Sequence, residues 1–306
     1  MKNHGIEISN LHKNFHDIQA LKGVSFKIAD AGLYGLIGPN GAGKTTLLKC
    51  VSSLLVPSSG EVCINSDTVS PKNFAVRRKI GFLPEDSGLY EKLSAKEFLH
   101  IMAGMHGIPK EERKRKVKDV VDFVGITYPP NKVVKYLSTG QRRLLLFASI
   151  LLHDPEILIL DESLSGLDPI NREHITRLMR KLAKDRIVLF STHILADIWR
   201  LCKRIFVLNH GELIVEDHPE NILARMSDNS YFITSKTELE TIKDYLDNLP
   251  NVSVISIQDD KLLFKIEEMV PITEIIKGIM NKFNVESFGP NVPDLDQIFT
   301  RMVTAT

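Results

Sequence analysis

Two hydrophobic periods run through the chain and change over in a regular order. Residues 6–11 and 24–28 alternate apolar and polar positions, the mark of strands with one covered face. Residues 32–37, 157–160 and 186–190 are instead short continuous aliphatic runs, as expected of parallel strands buried on both faces. Residues 61–64 and 79–83 add two further strands. Between them the period lengthens. Residues 45–51 read as a helix. Ser94-Ala95-Lys96-Glu97 fits a capping box ahead of an apolar stripe at Phe98, Leu99, Ile101 and Met102. Pro109 opens a second helix, with Val117, Val120, Val121 and Val124 on one face. A third starts near Ser138 and carries Leu144, Leu145, Phe147, Ala148, Leu151 and Leu152. Pro169 opens a helix to Leu182, and 205–208 with 212–215 predict a hairpin about Asn209-His210-Gly211.

These alternations predict an α/β domain over residues 3–226, with a helical subdomain over about 93–153 and a last helix at 219–226. From residue 230 the order changes to strand (231–234), helix (237–249), two strands (252–257 and 262–266) turning at Asp259-Asp260, helix (271–283) and strand (285–288). A final helix spans about 295–302. The order βαββαβ predicts a small ferredoxin-like α+β module over 230–306, with no catalytic constellation of its own.

The candidate chemistry sits at the ends of the buried strands. Gly38-Pro39-Asn40-Gly41-Ala42-Gly43-Lys44-Thr45-Thr46 fits the phosphate-loop pattern, two glycines bracketing four residues before Lys and a hydroxyl. Small residues let successive N–H groups turn inward onto anionic oxygens, and the helix that follows adds partial positive charge. Lys44 is placed to reach the β- and γ-phosphates, and Thr45 to hold Mg²⁺ through its hydroxyl. Asp161 and Glu162 end the strand at 157–160, where packing does not explain two acids. Asp161 is placed to orient the metal and Glu162 to polarise a water. Glu85, in Pro84-Glu85-Asp86-Ser87-Gly88, and His193, in Ser191-Thr192-His193, follow other strands and point to the same crevice. Phe15 offers a flat surface for a purine, or simply fills a crevice in a surface loop.

Composition narrows the picture little. The 306 residues are 43% hydrophobic and 25% charged, an ordinary globular profile, long enough for one large domain and a smaller one. A net charge of +1 gives no overall field for nucleic acid or anionic lipid. The basic run at 110–116 has mixed signs and reads as the solvated face of an amphipathic helix. Residues 1–10 lack an apolar core of signal-peptide length, and the longest greasy run, 144–152, is too short to span a bilayer. Cys50, Cys63 and Cys202 have no paired spacing and read as neutral thiols. A cytoplasmic protein, or one on the cytoplasmic face of a membrane, is expected.

With Leu137-Ser138-Thr139-Gly140-Gln141 added, residues 3–226 resemble the nucleotide-binding subunit of an ABC transporter. That stretch is similar to the family's signature, Glu85 to its Q-loop position, Ser165-Gly166-Leu167-Asp168 to its D-loop, His193 to its switch histidine and Phe15 to its adenine-stacking aromatic. The resemblance implies the fold of that ATPase: a mostly parallel sheet core, an antiparallel β subdomain and an α-helical subdomain. It implies two subunits, here two copies of one chain, closing on two ATP molecules. Ser138, Gly140 and Gln141 of one chain would complete the site formed by the partner's Lys44, with Glu162 as base, His193 on the γ-phosphate and Asp168 coupling the sites. Asp161, Thr45 and Glu85 are the implied Mg²⁺ ligands. The implied role is to power a separately encoded membrane permease, with the Leu-Pro-Glu form leaning to exporters of drugs, antibiotics or peptides. Pro293-Asp294-Leu295 and its continuation also resemble an exporter ATPase tail. Soluble relatives acting on nucleic acid or ribosomes are the alternative; those usually fuse two such domains or carry coiled coils or zinc inserts. The sequence departs at Thr139, where glycine is usual, and at Glu85, where glutamine is.

Overall fold

The computed structural model describes residues 5–85, 88, 90–226, 230–236, 238–258, 260–267, 271–291 and 295–304. Asp86, Ser87, Asp259, Pro293 and Asp294, named above, lie outside these. The chain forms two compact units, one up to His218 and one from Pro219 onward. The helix Pro219–Met226, expected to close the first domain, therefore groups with the second unit.

Six strands make the central sheet of the first unit, in the order Glu212–Asp217, Arg204–Asn209, Gly32–Ile37, Ile187–Ser191, Ile157–Leu160, Ile80–Leu83. All neighbours are parallel except the first pair, a hairpin whose turn uses positive φ at His210 and Gly211. The three continuous aliphatic runs are three of the four inner strands, buried on both faces as their composition requires. Helices Lys44–Val51, Thr139–Leu151 and Pro169–Leu182 connect the sheet elements, so the C-terminal ends of neighbouring strands share one rim.

A four-stranded antiparallel sheet packs against this core. Its main hairpin, Ile6–Phe15 with Ile18–Ile28, runs further than its alternating segments suggest. Residues 12–19 are mostly polar and irregular, yet they pair to the tip, with Asn10 at positive φ in the first register shift and His16 at positive φ in the connecting turn. Phe15 is thus a strand-end residue rather than a loop residue. The Phe26 and Phe206 rings, 4.2 Å apart, join the two sheets. The helical subdomain comprises Ala95–Met105, Lys110–Val124 and Thr139–Leu151. Its first and third helices carry complete capping boxes, Ser94 with Glu97 and Ser138 with Gln141.

In the second unit the strands lie in the order Val252–Gln258, Lys261–Ile266, Ser230–Ser235, Val285–Pro290, all antiparallel. With helices Leu239–Asp247 and Ile272–Lys282 between them, this is the ferredoxin-like arrangement. Ile233, Ile242, Leu246, Leu262, Phe264 and Ile279 form its core. Among the described residues no helix is long and apolar enough to cross a membrane.

Candidate functional site

The loop between strand Gly32–Ile37 and helix Lys44–Val51 turns sharply at Gly43, whose φ of 104° an L side chain would resist. A side chain there would also strike the Ala20 carbonyl at 2.5 Å, because strand Ile18–Ile28 lies against the loop. Lys22 N–H bonds Gly211 O at 2.8 Å and Gly211 N–H bonds Ala42 O at 3.0 Å, fixing the loop between two sheets. Lys44 starts the helix and is buried. Its ammonium donates to the carbonyls of Gly38 (2.8 Å) and Pro39 (3.1 Å). Burial lowers its pKa, and Glu162, Asp161 and Glu85, in that order, oppose the shift. A cation held dry beside strand-end acids has a strong electrostatic claim on an anionic ligand.

Asp161 and Glu162 follow strand Ile157–Leu160, and Ser191 ends the next strand. The Ser191 hydroxyl, fully buried, donates to Asp161 Oδ1 at 2.7 Å and accepts the Glu162 N–H at 2.9 Å. One small side chain thus fixes both acids. Glu162 takes φ of 45°, an unusual conformation for a non-glycine residue. Its Oε2 lies 2.8 Å from Nδ1 of His193. A carboxylate can only accept, so that ring nitrogen carries the proton.

A single cavity of about 800 Å³ brings together Asn40, Gly41, Ala42, Gly43, Lys44, Thr45, Thr46, Glu85, Glu162 and His193. Four elements far apart in sequence therefore converge on one rim. Ser165 and His210 line it too, and Ile18, Gln19, Ala20 and Lys22 form its hairpin wall. Phe15 is not among the lining residues; its ring is 42% exposed under the Lys13 ammonium at 5.1 Å. Ser138, Gly140, Gln141 and Asp168 also lie outside the lining. Ser138 and Gln141 cap their helix, with Gln141 Oε1 accepting from Ser138 N–H (3.2 Å) and Lys132 (3.1 Å). Asp168 caps the helix Pro169–Leu182, accepting from the N–H groups of Ile170 and Asn171 and from the Asn171 side chain at 2.6 Å. The Asn171 side-chain bond heads the causes that hold the Asp168 pKa low.

Sequence reasoning passed over Ser191 and Arg143. Ser191 stands within the quoted Ser191-Thr192-His193 but was given no role, and Arg143 lies two residues after Gln141.

The donor set suits Mg²⁺. Asp161 Oδ2 is buried without a hydrogen-bond partner among the described residues, and Thr45 and Glu85 supply further hard oxygens at the cavity. Among the described residues no three of His, Cys, Asp and Glu gather as a self-sufficient metal cage. Burial pushes the Cys50 thiol up to about 11 and raises Cys202 as well, so both are inert neutral thiols near pH 7.

A phosphate loop before a helix, strand-end acids and a parallel sheet define a phosphate-loop nucleotide-binding fold. The family model described as ABC transporter matches residues 21–165. The uncharacterized ABC transporter ATP-binding protein YxlF of Bacillus subtilis (strain 168) is 30% identical over 302 residues, covering 98% of this chain and all of that one. The linearmycin resistance ATP-binding protein LnrL of the same organism is 26% identical, with 98% and 99% covered. A dimeric post-hydrolysis structure of the ATP-binding cassette MJ0796, bound to ADP and Pi, superimposes with a TM-score of 0.64 at 26% identity, covering 70% of this chain and 98% of that one. The chain belongs to the ATP-binding proteins of ABC transporters.

Proposed function

We propose that the chain hydrolyses ATP as one half of a two-subunit motor that powers a separately encoded membrane permease, in the direction of export. The observation that carries this is the single cavity in which residues 40–46 of the phosphate loop face Glu85 and the Glu162–His193 pair. Lys44 exchanges its two loop carbonyls for β- and γ-phosphate oxygens, which return charge to a site whose burial disfavours it. Glu162 takes a proton from the water attacking the γ-phosphorus as the bond to the β,γ-bridging oxygen breaks, leaving ADP and phosphate. His193 holds the Glu162 carboxylate through Nδ1–H, and from its exposed position it can turn to the γ-phosphate. Mg²⁺, held by Asp161 and Thr45 with Glu85 nearby, would neutralise charge developing on the phosphate oxygens.

Ser138 and Gly140 lie outside the chain's own cavity, which supports a role in a partner's site. The MJ0796 cassette is dimeric, and the same arrangement is proposed here for two copies of this chain. Asp168, at the head of the next helix, is proposed to couple the two sites. Export is favoured by LnrL, named for resistance to linearmycin, a phenotype that removal of a compound would produce. On this reading the chain is peripheral to the membrane, on its cytoplasmic face, and does not act on nucleic acid.

The test is ATP hydrolysis by the purified chain and by Glu162→Gln, with molar mass measured by light scattering with and without ATP. Turnover in the wild type, its loss in the variant and an ATP-trapped dimer of the variant are expected. A variant as fast as wild type removes Glu162 as the base. Co-purification with RNA rather than with a polytopic membrane protein overturns the transport role.

A further inference from the structure

The Arg143 guanidinium, one turn into the helix that begins at the signature, is bonded to four backbone carbonyls on two other elements. Nε donates to Ser163 O at 3.0 Å and Nη2 to Glu162 O at 2.6 Å, both in the turn after strand Ile157–Leu160. Nη1 is shared between Pro84 O at 3.3 Å and Glu85 O at 3.2 Å, in the segment after strand Ile80–Leu83. No side chain other than arginine carries enough donors in a fixed fork to hold two turns at once. Two of the carbonyls belong to Glu162 and Glu85, the acids at the cavity. The Glu162 carbonyl, in a turn with left-handed φ, also accepts the Ser165 N–H at 3.2 Å, so the guanidinium joins that turn at a carbonyl the turn itself uses. The helix that carries Arg143 is rigid at its start, locked by the Ser138–Gln141 capping box and by Arg142 Nη2 bonded to Lys135 O at 2.8 Å.

We propose that Arg143 is a positioning residue that pins the backbone of Glu162 and of Glu85 to the start of the signature helix, so that a phosphate engaged at the Ser138 end sets the geometry of both acids. Two consequences follow. The catalytic carboxylate is aimed from behind by a residue that does not touch nucleotide. And a displacement of Ser138, on the proposed reading caused by the partner's ATP, reaches the chain's own acids through a few bonds of one turn of helix. This coupling rests on the proposed ATPase, whereas the pinning does not.

The experiment therefore uses two readouts on the full chain, with Arg143→Lys and Arg143→Met. The first is hydrogen–deuterium exchange without nucleotide. Arg143→Met should raise exchange in peptides covering 80–85 and 161–167, leaving 32–51 unchanged, and Arg143→Lys should fall between. The second is steady-state hydrolysis. Arg143→Met should lower kcat by about ten-fold or more with ATP affinity of the isolated chain within about two-fold, because the phosphate loop is untouched. Arg143→Lys, keeping charge but not the fork, should recover part of the loss. If the two peptides keep wild-type protection, or if exchange rises uniformly with a falling melting temperature, the pinning is wrong. If pinning holds but kcat per folded molecule matches wild type, the link to catalysis is wrong. A wild-type chain without turnover would refute the ATPase reading and the coupling drawn from it, while the exchange result still decides the pinning.

Discussion

Ser191→Ala removes one hydroxyl from the floor of the site, and the structure says what that should cost. The hydroxyl is fully buried and makes two bonds, one to the Asp161 carboxylate and one from the Glu162 amide. Hydrogen bonds to charged groups contribute about 1.5–3 kcal/mol net, and a buried amide left without a partner costs about 1–3 kcal/mol. Asp161 is hit hardest, because its other oxygen already has no partner among the described residues. Glu162 is only partly buried, so its amide takes the low end of the range. A loss of about 3 kcal/mol follows. Trp199 is the sole tryptophan and lies in helix Leu195–Leu201 of the first unit, so its fluorescence during urea unfolding reports that unit. With a slope of about 2–3 kcal/mol per molar urea, the midpoint should fall by about 1 M. Asp161→Asn keeps the shape and removes the charge, so the double variant should lose less than the two single losses added, by about 1.5 kcal/mol or more. A midpoint shift below about 0.3 M, or strict additivity, would refute the reasoning that Ser191 holds the acids.

Three further outcomes are expected. Burial, then the charge of the stacked His153 ring 4.0 Å away, lowers the His106 pKa to about 4. The neutral ring's contribution is complete above the unfolded value of about 6.5 and disappears as pH falls toward 4, about 2–3 kcal/mol in all; His106→Phe should flatten the melting temperature between pH 6.5 and 4. At Gly140 an added Cβ would strike the Asn171 side-chain amide, so Gly140→Ala must break the Asn171–Asp168 bond at a net cost of about 1 kcal/mol. Thermal melts should show Asn171→Ala added to Gly140→Ala to be more stable than Gly140→Ala alone. Asp197, with a side chain 6% exposed, bonds Arg172 Nε at 3.0 Å, so Asp197→Ala should cost about 3 kcal/mol by stranding the guanidinium; Asp197→Leu with Arg172→Met should be less destabilised in the same urea assay.

What the sequence disclosed followed from how local each signal is. Residues 157–160 were legible because a strand buried on both faces must be continuously aliphatic. The helix starts at Ser94, near Ser138 and at Pro169 were legible because start signals such as a capping box or a first-turn proline act within one turn of themselves. The order of elements in the last third carried the ferredoxin-like sheet, since few arrangements accept βαββαβ with short connections. The hairpin tip was not legible. Residues 12–19 have no alternation, and only the opposite strand makes them extended. The short helix Leu195–Leu201 has too few turns to show a period. Ser191 and Arg143 escaped for a deeper reason. Their partners are carbonyls and a carboxylate of turns that come together only when three strand ends lie side by side, and no spacing along the chain records that.

The same adjacency explains the charge pattern of the site. A buried lysine is costly alone, and so are buried acids; each is tolerable here because the sheet order brings strand ends 32–37, 187–191, 157–160 and 80–83 into one row. Lys44 then feels Glu162, Asp161 and Glu85 together, each opposing the effect of its burial. None of the three is bonded to the ammonium, which is held by loop carbonyls instead. The acids are held by other groups: Asp161 by the Ser191 hydroxyl, Glu162 by the His193 imidazole and through its own N–H, which donates to Ser191, and Glu85 through its carbonyl, which accepts from Arg143. Cation and carboxylates are therefore near enough to stabilise each other's charge, yet not collapsed into ion pairs that an incoming phosphate would have to break. Polar bonds to backbone, rather than salt bridges, keep the two halves of the site apart, and that separation leaves room for a polyanion between them.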